Sequence, residues 1–244
     1  MRGVPRTDAL PGLARLRPAD WRVGSRCGAA LGDDAVMLTL TRLVTSGTFS
    51  LDGGTWDVDN NVWIIGDEAE CVVIDAPHDA DAIRAAIGSR RLTAILCTHA
   101  HDDHVDAAAA LAAATGAPVW LHPADRELWD MTYPERAPDR DLADGQTITV
   151  AGADLTVLHT PGHSRGAVCF HLPGQSWLFS GDTLFAGGPG ATGRSFSDFG
   201  VIVDSIRDRL LVLDPGTVVH TGHGADTTIG AEAPHLQEWI ARGH

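Results

Sequence analysis

His99-Ala100-His101-Asp102-Asp103-His104 sets three imidazoles and a usable carboxylate within six residues, in the pattern H-x-H-x-D-H. Neutral imidazole and ionised carboxylate are preferred ligands of zinc and similar divalent cations, so their concentration in one short stretch points to a metal. The run before it, Thr93-Ala94-Ile95-Leu96-Cys97-Thr98, is apolar and partly β-branched and reads as a buried strand. The run after it, residues 105–115, is rich in Ala and Leu and reads as a helix. The motif therefore occupies a strand-to-helix turn, where side chains can converge on one point.

Strands and helices alternate on both sides of this turn. Residues 37–43, 61–65 and 71–74 read as strands, the last two flanking the turn-like Gly66-Asp67-Glu68. Residues 79–87 place Ala80, Ile83, Ala86 and Ile87 on one helical face, and Gly88 is a stop signal. Gly116 ends the helix after the motif, 118–121 read as a short strand, and 125–131 as one or two helical turns. Residues 132–145 are polar and contain proline, a surface loop near the site. Then come strands at 147–150, 154–159, 167–171 and 177–180, a helix at 201–213, a strand at 217–220 and a closing helix at 232–242. Each half gives strands followed by helices. That pattern fits an α+β fold of two sheets face to face with helices outside, a four-layer αββα sandwich.

A chain of 244 residues is one large domain, or one domain with an extension. Residues 37–244 read as the domain. Residues 1–36 carry Arg2, Arg6, Arg15, Arg17, Arg22 and Arg26 among Pro and Gly, with no apolar core of a secretory signal, and read as a loose extension. Net charge is −14, and all 18 basic residues are Arg. Such a chain has no basic stripe for a phosphate backbone, so no nucleic-acid partner is expected. No apolar run approaches a membrane span, and the expected location is the cytoplasm. Cys27, Cys71, Cys97 and Cys169 show no C-x-x-C spacing, and the last three fall in apolar runs that suit buried free thiols.

Three signals downstream of the motif come at or just after expected strands. They are Thr160-Pro161-Gly162-His163-Ser164, Ser180-Gly181-Asp182-Thr183 and Thr221-Gly222-His223-Gly224. Singly, each is as well explained by a loop or a helix cap. With the H-x-H-x-D-H turn, the set resembles the metallo-β-lactamase superfamily, and within it the glyoxalase II-like (hydroxyacylglutathione hydrolase-like) branch. The resemblance rests on residues 99–104, Pro161-Gly162-His163-Ser164, Gly181-Asp182-Thr183-Leu184-Phe185 and Gly222-His223-Gly224. It implies the metallo-β-lactamase fold with a binuclear site at one edge. His99, His101 and His163 would hold one cation, Asp103, His104 and His223 the second, and Asp182 would bridge them. The implied cofactors are two divalent metal ions, zinc first, with iron or manganese as alternatives. Seven donors including two carboxylates exceed what one tetrahedral zinc needs. The implied catalytic residues are Asp103 and Asp182, with a metal-bridging hydroxide as nucleophile.

The same resemblance implies a small-molecule substrate, an acyl adduct of a low-molecular-weight thiol of the glutathione or mycothiol type. Only about 20 residues follow His223, so the C-terminal helical domain of longer branch members is not expected within this sequence. Substrate contacts would come from loops at residues 187–198, 132–145 and 49–60, with Arg194 as a partner for an anionic group. His159 is expected to support the site from behind the ligands. His78, His122, His171, His220, His235 and His244 fit no ligand pattern, and the tryptophans read as core or rim packing. Rival readings are a mononuclear-iron persulfide dioxygenase, a lactonase or β-lactamase-type hydrolase, a nuclease, and a metal-binding module without turnover. Metal content and a substrate panel separate them.

Overall fold

Strands β1 (Thr39–Leu51), β2 (Gly54–Gly66), β3 (Glu70–Ile74), β4 (Arg91–Leu96), β5 (Val119–Leu121) and β6 (Arg140–Asp141) form one mixed sheet in sequence order. The structure is a computed structural model and describes residues 38–243. The expected extension at residues 1–36 lies outside the described residues. β1 to β3 are antiparallel neighbours, and β3 to β6 run parallel. The connections between the parallel strands carry α1 (Ala80–Ile87), α2 (Asp102–Val105), α3 (Ala108–Thr115) and α4 (Arg126–Thr132).

A second sheet is built from β7 (Thr147–Val150), β8 (Ala153–His159), β9 (Val168–Leu172) and β10 (Trp177–Gly181). A small ribbon, β11 (Leu184–Phe185) with β12 (Gly188–Pro189), follows. After α5 (Phe199–Ser205) the chain adds β13 (Val218–Thr221) and β14 (Thr227–Thr228), and closes with α6 (Ile229–Glu232) and α7 (Leu236–Arg242). The order across this sheet is β14-β13-β10-β9-β8-β7.

The period of two in the strands explains the layers. On β2, β3 and β4, Trp63, Ile65, Val72, Ile74, Ala94 and Leu96 face the second sheet and meet Leu155, Val157, Phe170 and Phe179. The intervening Val62, Ile64, Cys71, Val73 and Ile95 face outward and bury Ile83, Leu111, Leu128 and Trp129 of the helices. On the far side, Cys169, Leu178 and Val219 pack under Ile202, Ile206 and Trp239. Strands buried on both faces must be apolar at consecutive positions, which is why these runs do not alternate. Three cores thus separate four layers, as the sequence implied. Cys71, Cys97 and Cys169 are buried free thiols. No described helix is long and apolar enough to cross a membrane.

One expectation is corrected. Residues 49–60 are not a loop. β1 and β2 pair in unbroken register from Thr39↔Gly66 to Leu51↔Gly54, closed by the two-residue turn Asp52-Gly53. Both turn residues have positive φ, 52° and 77°, as a tight hairpin turn that matches strand twist requires. Smaller corrections concern helices: the expected helix at 105–115 breaks at Asp106, so α2 carries the metal-motif residues on its own turn. The helix expected at 201–213 starts earlier and ends in a wider π-type turn over Ile206–Leu210.

Candidate metal centre

β8, β10 and β13 point the same way, and their carboxyl ends lie at one edge of the sandwich beside the end of β4. Backbone bonds seal this edge between the sheets: Val168 N–H to the Thr98 carbonyl (2.8 Å) and Asn61 N–H to the Gly222 carbonyl (2.7 Å). The loops leaving these four strand ends bring all seven expected donors together. His99 Nε2 and His163 Nε2 each lie 3.0 Å from His101 Nδ1. In a neighbouring group, Asp103 Oδ2 lies 3.3 Å from His223 Nε2, which is 3.2 Å from His104 Nε2. Asp182 reaches between the groups. Its Oδ1 is 3.4 Å from His104 Nε2, and its Oδ2 is 3.6 Å from His163 Nε2 and 3.4 Å from His223 Nε2.

The hydrogen bonds behind the rings decide which nitrogen faces inward. Thr98 Oγ1 donates to Asp75 Oδ2 (2.8 Å), so it accepts from His99 Nδ1 (3.0 Å) and leaves His99 Nε2 a bare lone pair. His163 Nδ1 donates to the Ala191 carbonyl (2.8 Å), His104 Nδ1 to Asp75 Oδ2 (2.9 Å) and His223 Nδ1 to the Asp59 carbonyl (2.7 Å). Four rings are therefore held with Nε2 toward the centre, the arrangement that ligating histidines need. Asp182 Oδ1 is buried and accepts no hydrogen bond. Converging lone pairs and an orphaned buried carboxylate oxygen are costly unless a cation joins them, so the donor set fits divalent metal.

Charge points the same way. Burial, with His163 adding to it, brings His101 down to about 3, and burial with His104 and His101 holds His99 well below the usual histidine range. Burial opposes a charge on Asp103, but His104 and hydrogen bonds from His223 and Asn60 outweigh it and bring the carboxyl to about 2. At His223 burial is outweighed by Asp182 and Asp103, which lift the ring to about 10. Protons and a cation thus compete for the same nitrogens.

Four further residues were not singled out in the sequence. Asp75, at the end of β3, accepts from Thr98 N (2.7 Å) as well as from Thr98 Oγ1 and His104. Asn60 Nδ2 donates to Asp103 Oδ2 (3.0 Å). Its carbonyl oxygen faces His78 Nε2 (2.9 Å), and His78 Nδ1 lies 3.2 Å from Asp106. His78, given no role from sequence, therefore keeps the Asn60 amide turned toward a candidate ligand. Asp125, 1% exposed, accepts from Ala100 N (3.1 Å), Ser164 Oγ (2.7 Å) and Gly166 N. It ties the loop of His99 and His101 to the loop of His163. His159, by contrast, touches none of the seven donors. Its Nε2 bonds the Arg165 carbonyl (3.0 Å), and its ring stacks on His122 with centroids 4.1 Å apart.

Space at the centre is set by glycine. A Cβ on Gly222 would lie 2.3 Å from Asp182 Oδ1 and 2.9 Å from His104 Cε1. Gly222→Ala is expected to displace Asp182 and lower cation affinity about 10–100-fold, the range seen when ligand orientation is disturbed. A calorimetric metal titration checks it, and unchanged affinity would show that the cation does not sit beside Gly222.

The sequence pattern of the metallo-beta-lactamase superfamily matches residues 55–223. An uncharacterized protein of Mycobacterium tuberculosis is 36% identical over 189 residues, which cover 67% of this chain and 84% of that protein. A hydroxyacylglutathione hydrolase of Pseudomonas aeruginosa is 38% identical over 173 residues, 68% of this chain and 62% of that enzyme. This chain thus spans less than two thirds of that hydrolase's length. The crystal structure of TTHA1623 in a di-iron-bound form shares the fold with a TM-score of 0.65 at 36% identity, covering 72% of this chain and 93% of that one.

Proposed function

The chain belongs to the metallo-beta-lactamase superfamily, and from that premise we propose a thioester hydrolase with a two-cation centre, acting on acyl adducts of a low-molecular-weight thiol. Superfamily membership and its hydroxyacylglutathione hydrolase relatives make it a hydrolase that binds metal. The observation that carries the two-cation reading is Asp182, whose carboxylate reaches His163 of one donor group and His104 and His223 of the other. In this reading His99, His101 and His163 would hold one cation and Asp103, His104 and His223 the other, with Asp182 within reach of both groups. Zinc suits this nitrogen-rich set, and iron or manganese also fit it.

When bound, such a pair supplies a nucleophile from water at neutral pH and polarises the acyl carbonyl. The chain's own residues set the geometry. Asn60 holds Asp103 Oδ2 in place, and Asp75 fixes the rings of His99 (through Thr98) and His104. The seven titratable side chains that meet at the centre are all ligands in this reading, so none is left to protonate a leaving group. A thiolate needs little such help, because a thiol pKa near 8.5 makes it a good leaving group. A thioester is therefore expected to turn over at least about a hundredfold faster than the matching amide, the factor that a missing general acid typically withholds. Elemental analysis should find two metal ions per chain at saturation. Faster amide turnover, or one iron per chain with activity strictly dependent on molecular oxygen, would overturn this reading.

A further inference from the structure

His78 stands between β3 and α1 with a φ of 62°, in the left-handed region that few non-glycine residues occupy. Such a backbone persists only where its surroundings over-determine it. Asp106, just past α2, does so with both oxygens. Its Oδ1 accepts from the His78 backbone N–H (2.5 Å), and its Oδ2 faces His78 Nδ1 (3.2 Å). The strand above makes room as well. A Cβ on Gly47 of β1 would fall 2.2 Å from His78 Nδ1, so a glycine there lets the ring lie beneath the strand. The imidazole is thereby enclosed, with 5% of the side chain exposed.

The partners of the ring decide its state. An ionised Asp103 is an acceptor only, so the Asn60 amide presents Nδ2 to Asp103 Oδ2 (3.0 Å) and turns Oδ1 to His78 Nε2 (2.9 Å). The reverse orientation would set an amide oxygen against a carboxylate. His78 Nε2 therefore donates. On the opposite side Nδ1 faces a carboxylate oxygen of Asp106, to which it too donates. A ring that donates from both nitrogens is an imidazolium. Asp106 is its counter-charge, the one carboxylate within ion-pair distance of it among the described residues. A neutral ring could serve one of the two acceptors and not both, and either loss would free the Asn60 amide to turn.

We infer that His78 is a positioning residue, held as an imidazolium between Asp106 and Asn60, which locks the amide that aims Asp103 at its cation. The chain of contacts has a single route to the centre: from Asp106 to His78, from His78 to Asn60, and from Asn60 to Asp103. His78 touches none of the seven donors, so whatever it does for the centre passes through Asn60. The inference rests on Asp103 as a ligand in the two-cation reading and is independent of the substrate.

The test uses the zinc-loaded protein. Nitrogen NMR of the wild type at neutral pH should show protons on both ring nitrogens of His78, its signals assigned by their loss in His78→Asn. Asparagine tolerates the positive φ and is too short to reach Asn60. Zinc affinity, read by chelator competition, should fall about 10–100-fold in His78→Asn and in Asn60→Ala alike, the range for partners that orient ligands. Because one residue acts through the other, the double variant should lose no more than the worse single one, whereas independent losses would multiply to about 100–10,000-fold. Asp106→Asn keeps an acceptor for the backbone and removes the counter-charge. It should leave one His78 nitrogen unprotonated and weaken zinc binding, and it carries the test if His78→Asn does not fold. One unprotonated ring nitrogen in the wild type, unchanged zinc affinity in a folded His78→Asn, or losses that multiply would overturn the inference. Thioester turnover is read beside these. The expected spectrum and affinities with no thioester hydrolysed would sink the hydrolase reading and keep the role of His78. Hydrolysis with multiplying losses would do the reverse.

Discussion

Asp182→Ala is expected to lower hydrolysis by roughly a thousandfold or more, because it removes the one carboxylate shared by both donor groups, and several kcal/mol of stabilisation at about 1.4 kcal/mol per tenfold amounts to that factor. The geometry gives the reason. Asp182 Oδ1 faces His104 while Oδ2 faces His163 and His223, so one truncation weakens both triads at once. No neighbouring carboxylate can step in, since Asp103 is already committed to Asn60 and His223. Elemental analysis beside a thioester assay checks this. A variant that still binds two metals per chain and keeps most of its rate would show that Asp182 spans nothing.

Asp125→Ala should act on the fold and the centre together. It strips the acceptor from Ala100 N, Ser164 Oγ and Gly166 N, all buried. Each buried donor left unpaired costs about 1–3 kcal/mol, so with three of them the loss should be roughly 3–9 kcal/mol. For a chain of this size that lowers Tm by about 10 °C or more. Asp125→Asn restores one acceptor but sets an amide donor against another, so it should recover only part. Cation affinity should fall as well, because the bond links the loops of His101 and His163. Wild-type melting and metal uptake in Asp125→Ala would show that the two loops hold themselves.

The contrast between these two aspartates shows what a sequence reveals here. Asp182 stands in a short motif at a strand end, where spacing and residue type carry the message. Asp125 acts through partners 25 to 41 positions away, and its neighbours Pro123 and Ala124 look like any helix start. Asp75, Asn60 and His78 are hidden for the same reason: each works through a hydrogen bond that only the docked sheets create. The four layers were readable because strands apolar on both faces need cover on both sides. The distal half of the β1–β2 hairpin was missed because its strands there are polar and carry Gly47 and Gly54, although Asp52-Gly53 between them is a recognised hairpin turn signal. His159 drew attention through its spacing from His163, but on a strand that spacing does not aim two side chains at one point. Its ring lies against His122 instead.

The donors at residues 99 to 104 follow a strand of the first sheet, and those at 163, 182 and 223 follow strands of the second. Neither sheet therefore completes the centre alone. Its contacts are among the most distant along the chain, and such contacts are closed late in folding because loop closure must come first. The complete donor set exists only after the sheets have docked, so a cation that needs all of it would bind the finished fold. Bound there, it would stabilise the finished fold by mass action and slow the escape from it, with the pace of folding left to the sheets themselves.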